Sequence, residues 1–261
     1  MAGEVAMHYK KGLSGYDLKL IAMVTMTMDH IALLWLGLYA NSQGGYVRIS
    51  FDNRLDTIYT IMRGVGRLAF PLYAFLLVEG FFHSHNRKKY AIRLLLLALA
   101  AEIPFNFLVS TMWLDPLHNN VMWTLLLGLV AMSAIEWLYQ QPGLNIILQK
   151  ILIAVVALGA MLLANILMTD YGEGGILCIL LIYIFYSRSA GGRLFAPALG
   201  IIFLVYLSSA IELAALFSLI PIYFYNGTRG QAGSVMKKIS FLYYPLHLII
   251  LDAVALLYYL C

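Results

Sequence analysis

The chain has 261 residues, of which 62% are hydrophobic and only 11% charged, with a mean hydropathy of +0.83 and a formal net charge of +4. No soluble core hides that much apolar surface, so the composition excludes an ordinary soluble domain and indicates an all-α, polytopic membrane bundle. The positive charge gives no support for nucleic-acid binding, because that would need Lys and Arg clustered on one soluble face.

Apolar spans run near 18–38, 57–82, 90–109, 120–138, 147–168, 174–187, 194–208, 211–225 and 240–260. They predict about nine transmembrane helices. The breaks at Gln140 to Gly143, Ser189 to Gly192 and Asn226 to Gly230 are turn-length, so residues 1–261 are expected to form a single domain. Lys10, Lys11, Arg87, Lys88, Lys89, Lys150, Arg188, Lys237 and Lys238 fall at alternate span ends, whereas Asp52, Asp115, Asp170, Glu173 and Glu212 fall at the others. The positive-inside rule then places the N-terminus in the cytoplasm and the C-terminus outside. The first span is interrupted by Asp29-His30 and is followed by no small-residue cleavage site, so it reads as a retained helix. Cys178 and Cys261 make no disulfide framework, and His83 and His85 have no third ligand, so no metal is expected.

On the first helix, Lys19 and His30 are eleven residues apart. That is almost three turns, so both project from one face with about 16 Å of rise between them. A titratable group at bilayer depth is costly unless it has a partner or lines a cavity, which makes Asp29-His30 a candidate site. Asp29 points about 100° away from His30 and is expected to meet another helix. Arg63 and Arg67 share one face of the second helix, with Gly64 and Gly66 between them. Such a pair suits either an anionic or carbonyl group of a substrate or carboxylates of the bundle. Glu79 and Arg93, near the inner ends of their helices, are expected to pair. Glu102 lies at the depth of His30, Arg67 and Asp252 and is the expected partner of the His30 ring. Pro104 should open the backbone ladder of the third helix.

The polar run from Thr169 to Gly175, with Asp170, Tyr171 and Glu173, suits either an amine-bearing acceptor or a plain tight turn. On the basic side, the glycine-bracketed Asn226 and Arg229, with Lys237, Lys238 and the run from Tyr243 to His247, suit phosphate groups.

These motifs together resemble the TraX family of integral-membrane acetyltransferases. The resemblance rests on Asp29-His30, Gly66-Arg67-Leu68-Ala69-Phe70-Pro71, Glu79-Gly80-Phe81, Tyr90-Ala91-Ile92-Arg93-Leu94 and Glu102-Ile103-Pro104-Phe105. It continues through Asn120-Val121 with Thr124 and Gly128, Tyr171-Gly172-Glu173-Gly174, Tyr225-Asn226-Gly227 with Arg229, and Tyr244-Pro245 with His247. The family is distantly similar to the wider class of transmembrane acyltransferases, whose first helix carries a basic residue and, ten residues on, a histidine, a spacing that Lys19 and His30 fit. Arg63 and Arg67 have three residues between them where the wider class has two.

The resemblance implies a multi-pass protein of the bacterial cytoplasmic membrane that takes acetyl-CoA from the cytoplasm and acetylates an amine or a hydroxyl of a peptide, pilin or glycan acceptor. It implies no metal. His30, Asp29, Glu102 and Arg67 would be catalytic, and Lys19, Asn226, Arg229, Lys237, Lys238 and His247 would hold the CoA. Arg63, Asn165, Asp170, Tyr171 and Glu173 would meet the acceptor, and Arg67 or Asn165 would stabilise the oxyanion of the tetrahedral intermediate. The rival readings are a secondary transporter, which also needs ionisable groups at the midplane, and a catalytically silent assembly subunit.

Overall fold

The computed structural model describes residues 12–42, 54–186, 190–231 and 233–260. Lys10, Lys11, Asp52, Arg188, Cys261 and the side chain of Lys237 lie outside the described residues. Among the described residues the architecture is helical, with two isolated backbone bridges and no strand. The helices are α1 (Gly15–Ser42), α2 (Arg54–Gly66), α3 (Ala69–His83), α4 (Arg87–Ser110) and α5 (Val121–Tyr139). They are followed by α6 (Ile146–Ile166), α7 (Gly172–Ile184), α8 (Ala190–Leu207), a 3-10 helix (Ala210–Ser218), α9 (Leu219–Tyr223) and α10 (Ser234–Leu260).

Among the described residues six segments are long and apolar enough to cross a membrane: 15–36, 54–83, 87–110, 121–139, 146–166 and 238–258. Three shorter apolar helical stretches, 172–184, 192–207 and 210–223, accompany them. The bridge between Leu13 and Tyr225 puts the start of α1 and the loop after α9 at one end of the bundle. The bridge between Asn119 and Thr169 puts the α4–α5 and α6–α7 loops together at another place.

Two expected helices are broken where the site lies. The expected 57–82 span divides at Arg67, whose N–H bonds both Arg63 O at 3.2 Å and Gly64 O at 3.1 Å before α3 starts. The expected 211–225 span is a 3-10 helix handing over to the short α9. The change of register leaves Pro221 in the first turn of α9, where its missing N–H and fixed φ are tolerated. Pro104 is buried inside α4, which continues to Ser110.

Burial is uneven. In α3, ten of the fifteen residues are buried, including Phe70, Leu72, Phe75, Leu77 and Phe81. It is the central helix, packed between α1, α5, α7 and the 3-10 segment. In α6 only Ala164 is buried. One stripe, Ile153, Val156, Ala157, Ala160 and Met161, is partly buried against the core, and a helix whose remaining apolar faces are exposed is stable only against lipid.

Candidate active site

Adjacent residues of α1 enter two different polar assemblies. Asp29 Oδ1 accepts from Arg67 Nη2 at 2.6 Å, and its Oδ2 accepts from Arg63 Nη1 at 2.5 Å. Arg67 Nη1 donates in turn to Glu212 Oε1 of the 3-10 helix at 3.0 Å. Asp29, Arg67 and Glu212 are all buried. Charge-assisted bonds of this length are the strong kind, and here they tie α1, α2 and the 3-10 helix to one point. Gly66 makes the approach possible: a Cβ there would stand 2.3 Å from Asp29 Oδ1.

The loop before α7 closes on this quartet. The Arg67 guanidinium lies 5.7 Å from the Tyr171 ring centroid, and that ring stacks on Phe70 at 4.1 Å. Tyr171 has a left-handed backbone, with φ of 64°. Asp170 is held through its backbone, its N–H donating to Asn119 O at 2.7 Å while its carbonyl accepts from Thr124 Oγ1. Burial pushes the Asp170 carboxyl up to about 6, with the Arg67 charge acting in the opposite direction.

The next residue, His30, faces a different partner. His30 Nδ1 lies 2.7 Å from His247 Nε2, and His247 Nδ1 lies 2.9 Å from Tyr243 O. A carbonyl only accepts, so His247 Nδ1 carries its proton. In the neutral ring His247 Nε2 then accepts, His30 Nδ1 donates, and the His30 lone pair sits on Nε2. The ring planes are within 17° and the centroids 5.0 Å apart, the geometry of two imidazoles joined edge to edge through a hydrogen bond. Tyr244 and Phe105 meet His30 edge-on at 6.4 and 6.5 Å. Tyr243 lies flat against His247 and bonds Thr27 Oγ1 through its hydroxyl at 2.5 Å.

Several expectations are corrected by this geometry. Glu102 is not the partner of His30; its Oε2 accepts from Asn120 Nδ2 and Trp123 Nε1, which tie α4 to the start of α5. His247, expected at the CoA end, is the group bonded to His30. Asn165 is exposed and donates to Glu173 Oε2 at 2.8 Å, so neither belongs with Arg67. Glu79 does not pair with Arg93, which is exposed; it accepts from Tyr186 and Tyr225 hydroxyls at 2.8 and 3.3 Å. Asp252 shares neither assembly. Three residues of the assemblies have no site role in the sequence reading: Thr27, Tyr243, which it places only in the basic-end run with His247, and Glu212, which it counts only among the acids at the outer ends. Glu212 had a legible signal, an acid inside an apolar span.

The basic end is assembled as expected in part. Gly15 and Tyr16 N–H groups donate to Thr228 O and Arg229 O at 2.7 and 3.1 Å. Asn226 is spent on the turn itself, accepting from Thr228 N and donating to Gly12 O. Lys19 Nζ donates to Ser240 Oγ at 3.4 Å and is close enough to Arg229 for the two charges to repel. Lys238 is exposed.

Comparison with known proteins decides the family. The family described as TraX protein matches residues 14–255. The chain belongs to the TraX family. It is also 28% identical over 256 residues to the probable fimbrial assembly protein FimC, serogroup H1, of Dichelobacter nodosus, covering 91% of this chain and 94% of the relative. No solved structure matches. The TraX match spans both polar assemblies and, apart from Gly12, the basic end.

Proposed function

We propose that this TraX-family chain is a membrane-embedded acetyltransferase that moves an acetyl group from cytoplasmic acetyl-CoA to an acceptor amine on the far side. In this reading the polypeptide crosses the inner membrane nine times with its N-terminus in the cytoplasm. The observation that carries the proposal is the Tyr243–His247–His30 relay, which fixes a basic nitrogen, His30 Nε2, deep in the bundle.

The basic end fits the charged part of CoA. Lys19 and Arg229 are held together by the fold, and among the described residues neither takes a carboxylate partner. Two cations kept in range of each other favour an anion between them. From there His30 is about 16 Å along α1, within the reach of an extended pantetheine arm. When bound, the co-substrate supplies an activated acetyl thioester.

His30 Nε2 takes a proton from the acceptor amine as its nitrogen forms the bond to the acetyl carbon. The carbon–sulfur bond breaks, and His30 returns the proton to the leaving sulfur. His247 holds the imidazole in the required tautomer and shares the transient positive charge through its Nε2. Tyr244, edge-on to His30, is the neighbouring donor for the developing oxyanion. Arg67 and Arg63 are engaged by carboxylates; their part is to hold α1, α2 and the 3-10 helix in place.

The relative's name supports a fimbrial or pilus subunit as acceptor, and equally an assembly factor with no chemistry. Incubation of the purified protein with acetyl-CoA and a peptide amine separates the two. Acceptor-dependent release of CoA thiol, with acetylated peptide in the mass spectrum, is expected. Folded protein that neither retains CoA nor releases thiol would leave the assembly reading standing.

A further inference from the structure

A groove runs between α1, α4 and α10, beyond the histidine pair. Its walls are Leu34, Leu38, Phe107, Leu108 and Ala255, with Thr111 at the end of α4. The one ionisable group in this lining is Asp252, which is 9% exposed and whose Oδ1 is buried without a hydrogen-bond partner. Leu34 follows His30 by one helical turn on α1, and Asp252 follows His247 by five residues on α10. The groove therefore begins about one turn, roughly 6 Å, from the site.

We propose that this groove is a lateral port for a primary ammonium carried on an apolar stem, with Asp252 as its counter-charge. The proposal rests on the acetyltransferase reading, since it names how the acceptor reaches His30. A carboxylate oxygen left unpaired at membrane depth is costly, and the cost is offset when a cation or a donor occupies the site. An anion is repelled by Asp252. A hard metal ion needs several oxygen ligands, whereas the lining supplies one carboxylate and one hydroxyl. A neutral alkyl chain satisfies the leucines and leaves the carboxylate bare. An alkylammonium satisfies both. Beside Asp252 the ammonium gives one proton to the carboxylate, and the neutral amine, which is the nucleophile, moves the last turn to His30.

The test is photo-crosslinking of the full-length protein in detergent or bilayer discs with an eleven-carbon alkylamine bearing a diazirine at its tail. Peptide mapping should place adducts on α1, α4 and α10 near Leu38, Leu108 and Ala255. Dodecylamine should compete and dodecanol should not. Asp252→Asn, which preserves shape, should weaken labelling by roughly thirtyfold, the low end of the cost of removing one partner of a buried charge pair. Ala255→Trp, which fills the groove and leaves Asp252 in place, should abolish it. Equal labelling of wild type and Asp252→Asn, or adducts elsewhere, overturns the port. Labelling as expected in a protein that never acetylates any amine would sink the chemistry and leave the port intact, so the two failures are distinct.

Discussion

Asp29 and His30 are neighbours in sequence and opposites in chemistry. Asp29 has both oxygens engaged by arginines, one of which is tied on to Glu212. His30 has one nitrogen in a neutral relay and the other with a free lone pair. The first assembly is closed in charge, two arginines against two carboxylates that join three helices, although Glu212 Oε2 is buried without a hydrogen-bond partner. The second is open by one atom. At membrane depth a closed charged network is structural and an open neutral one is available for reaction; the 100° step between consecutive helical residues lets one helix serve both.

Breaking the closed network should have the largest effect. Asp29→Ala leaves buried Arg67 and half-buried Arg63 without their shared carboxylate, and removal of one partner of a buried ion network costs about 3–5 kcal/mol. Thermal unfolding in detergent should show a large loss of stability, or no folded protein at all. His30→Ala should leave the melting temperature nearly unchanged while lowering acetyl transfer by about 10²–10⁴-fold. If the two variants exchange these phenotypes, the division between the assemblies is wrong.

The relay sharpens the contrast at the next level. His247→Ala removes the acceptor for His30 Nδ1 and frees the ring to take the other tautomer. Transfer should fall by about 10- to 100-fold, the usual cost of losing an orienting partner. The KM for acetyl-CoA should hold steady. A raised KM with an unchanged kcat would return His247 to the CoA-binding end.

Much of this is legible in the sequence alone. Composition gives the membrane class, and the eleven-residue spacing singles out His30 beside Lys19. The four-residue spacing of Arg63 and Arg67 gives their common face, and Gly66 marks the close approach. The partners were not legible, because depth along a helix says nothing about azimuth between helices. Glu102 and His247 both carry a group able to bond His30, and only packing decides that Glu102 turns to Asn120 and Trp123. The breaks at Arg67 and at the 3-10 segment were hidden for a related reason. Apolar spans are read by length, while a change of register inside them is set by what the backbone must meet, here Asp29 from one side and Arg67 from the other.

Asp170 sits at the edge of the closed network and gives it a pH dependence. Its folded pKa of about 6 lies above the ordinary carboxylate value, so the folded state keeps a proton that the unfolded state has released. Between pH about 4 and 6 stability should therefore fall as pH rises, and above pH 6 this contribution should be flat. Asp170→Asn should remove that slope from a plot of melting temperature against pH. A slope that survives the substitution would assign it to another acid.

The smallest effect is expected at Asn165, and it tests the boundary of the site. Asn165 and Glu173 form an exposed bond between the end of α6 and the first turn of α7. Exposed polar pairs of this kind contribute about 0–1 kcal/mol. Asn165→Ala should accordingly move the melting temperature little and leave the acetyl-transfer rate within about twofold of wild type. An oxyanion donor behaves differently, since losing one costs about 10²–10³ in kcat. A drop of that size in Asn165→Ala would mean that the α6–α7 junction swings inward when substrate binds, carrying Asn165 from Glu173 towards His30. A rate near wild type, with Tyr244→Phe impaired instead, places the oxyanion beside the histidine pair on α10.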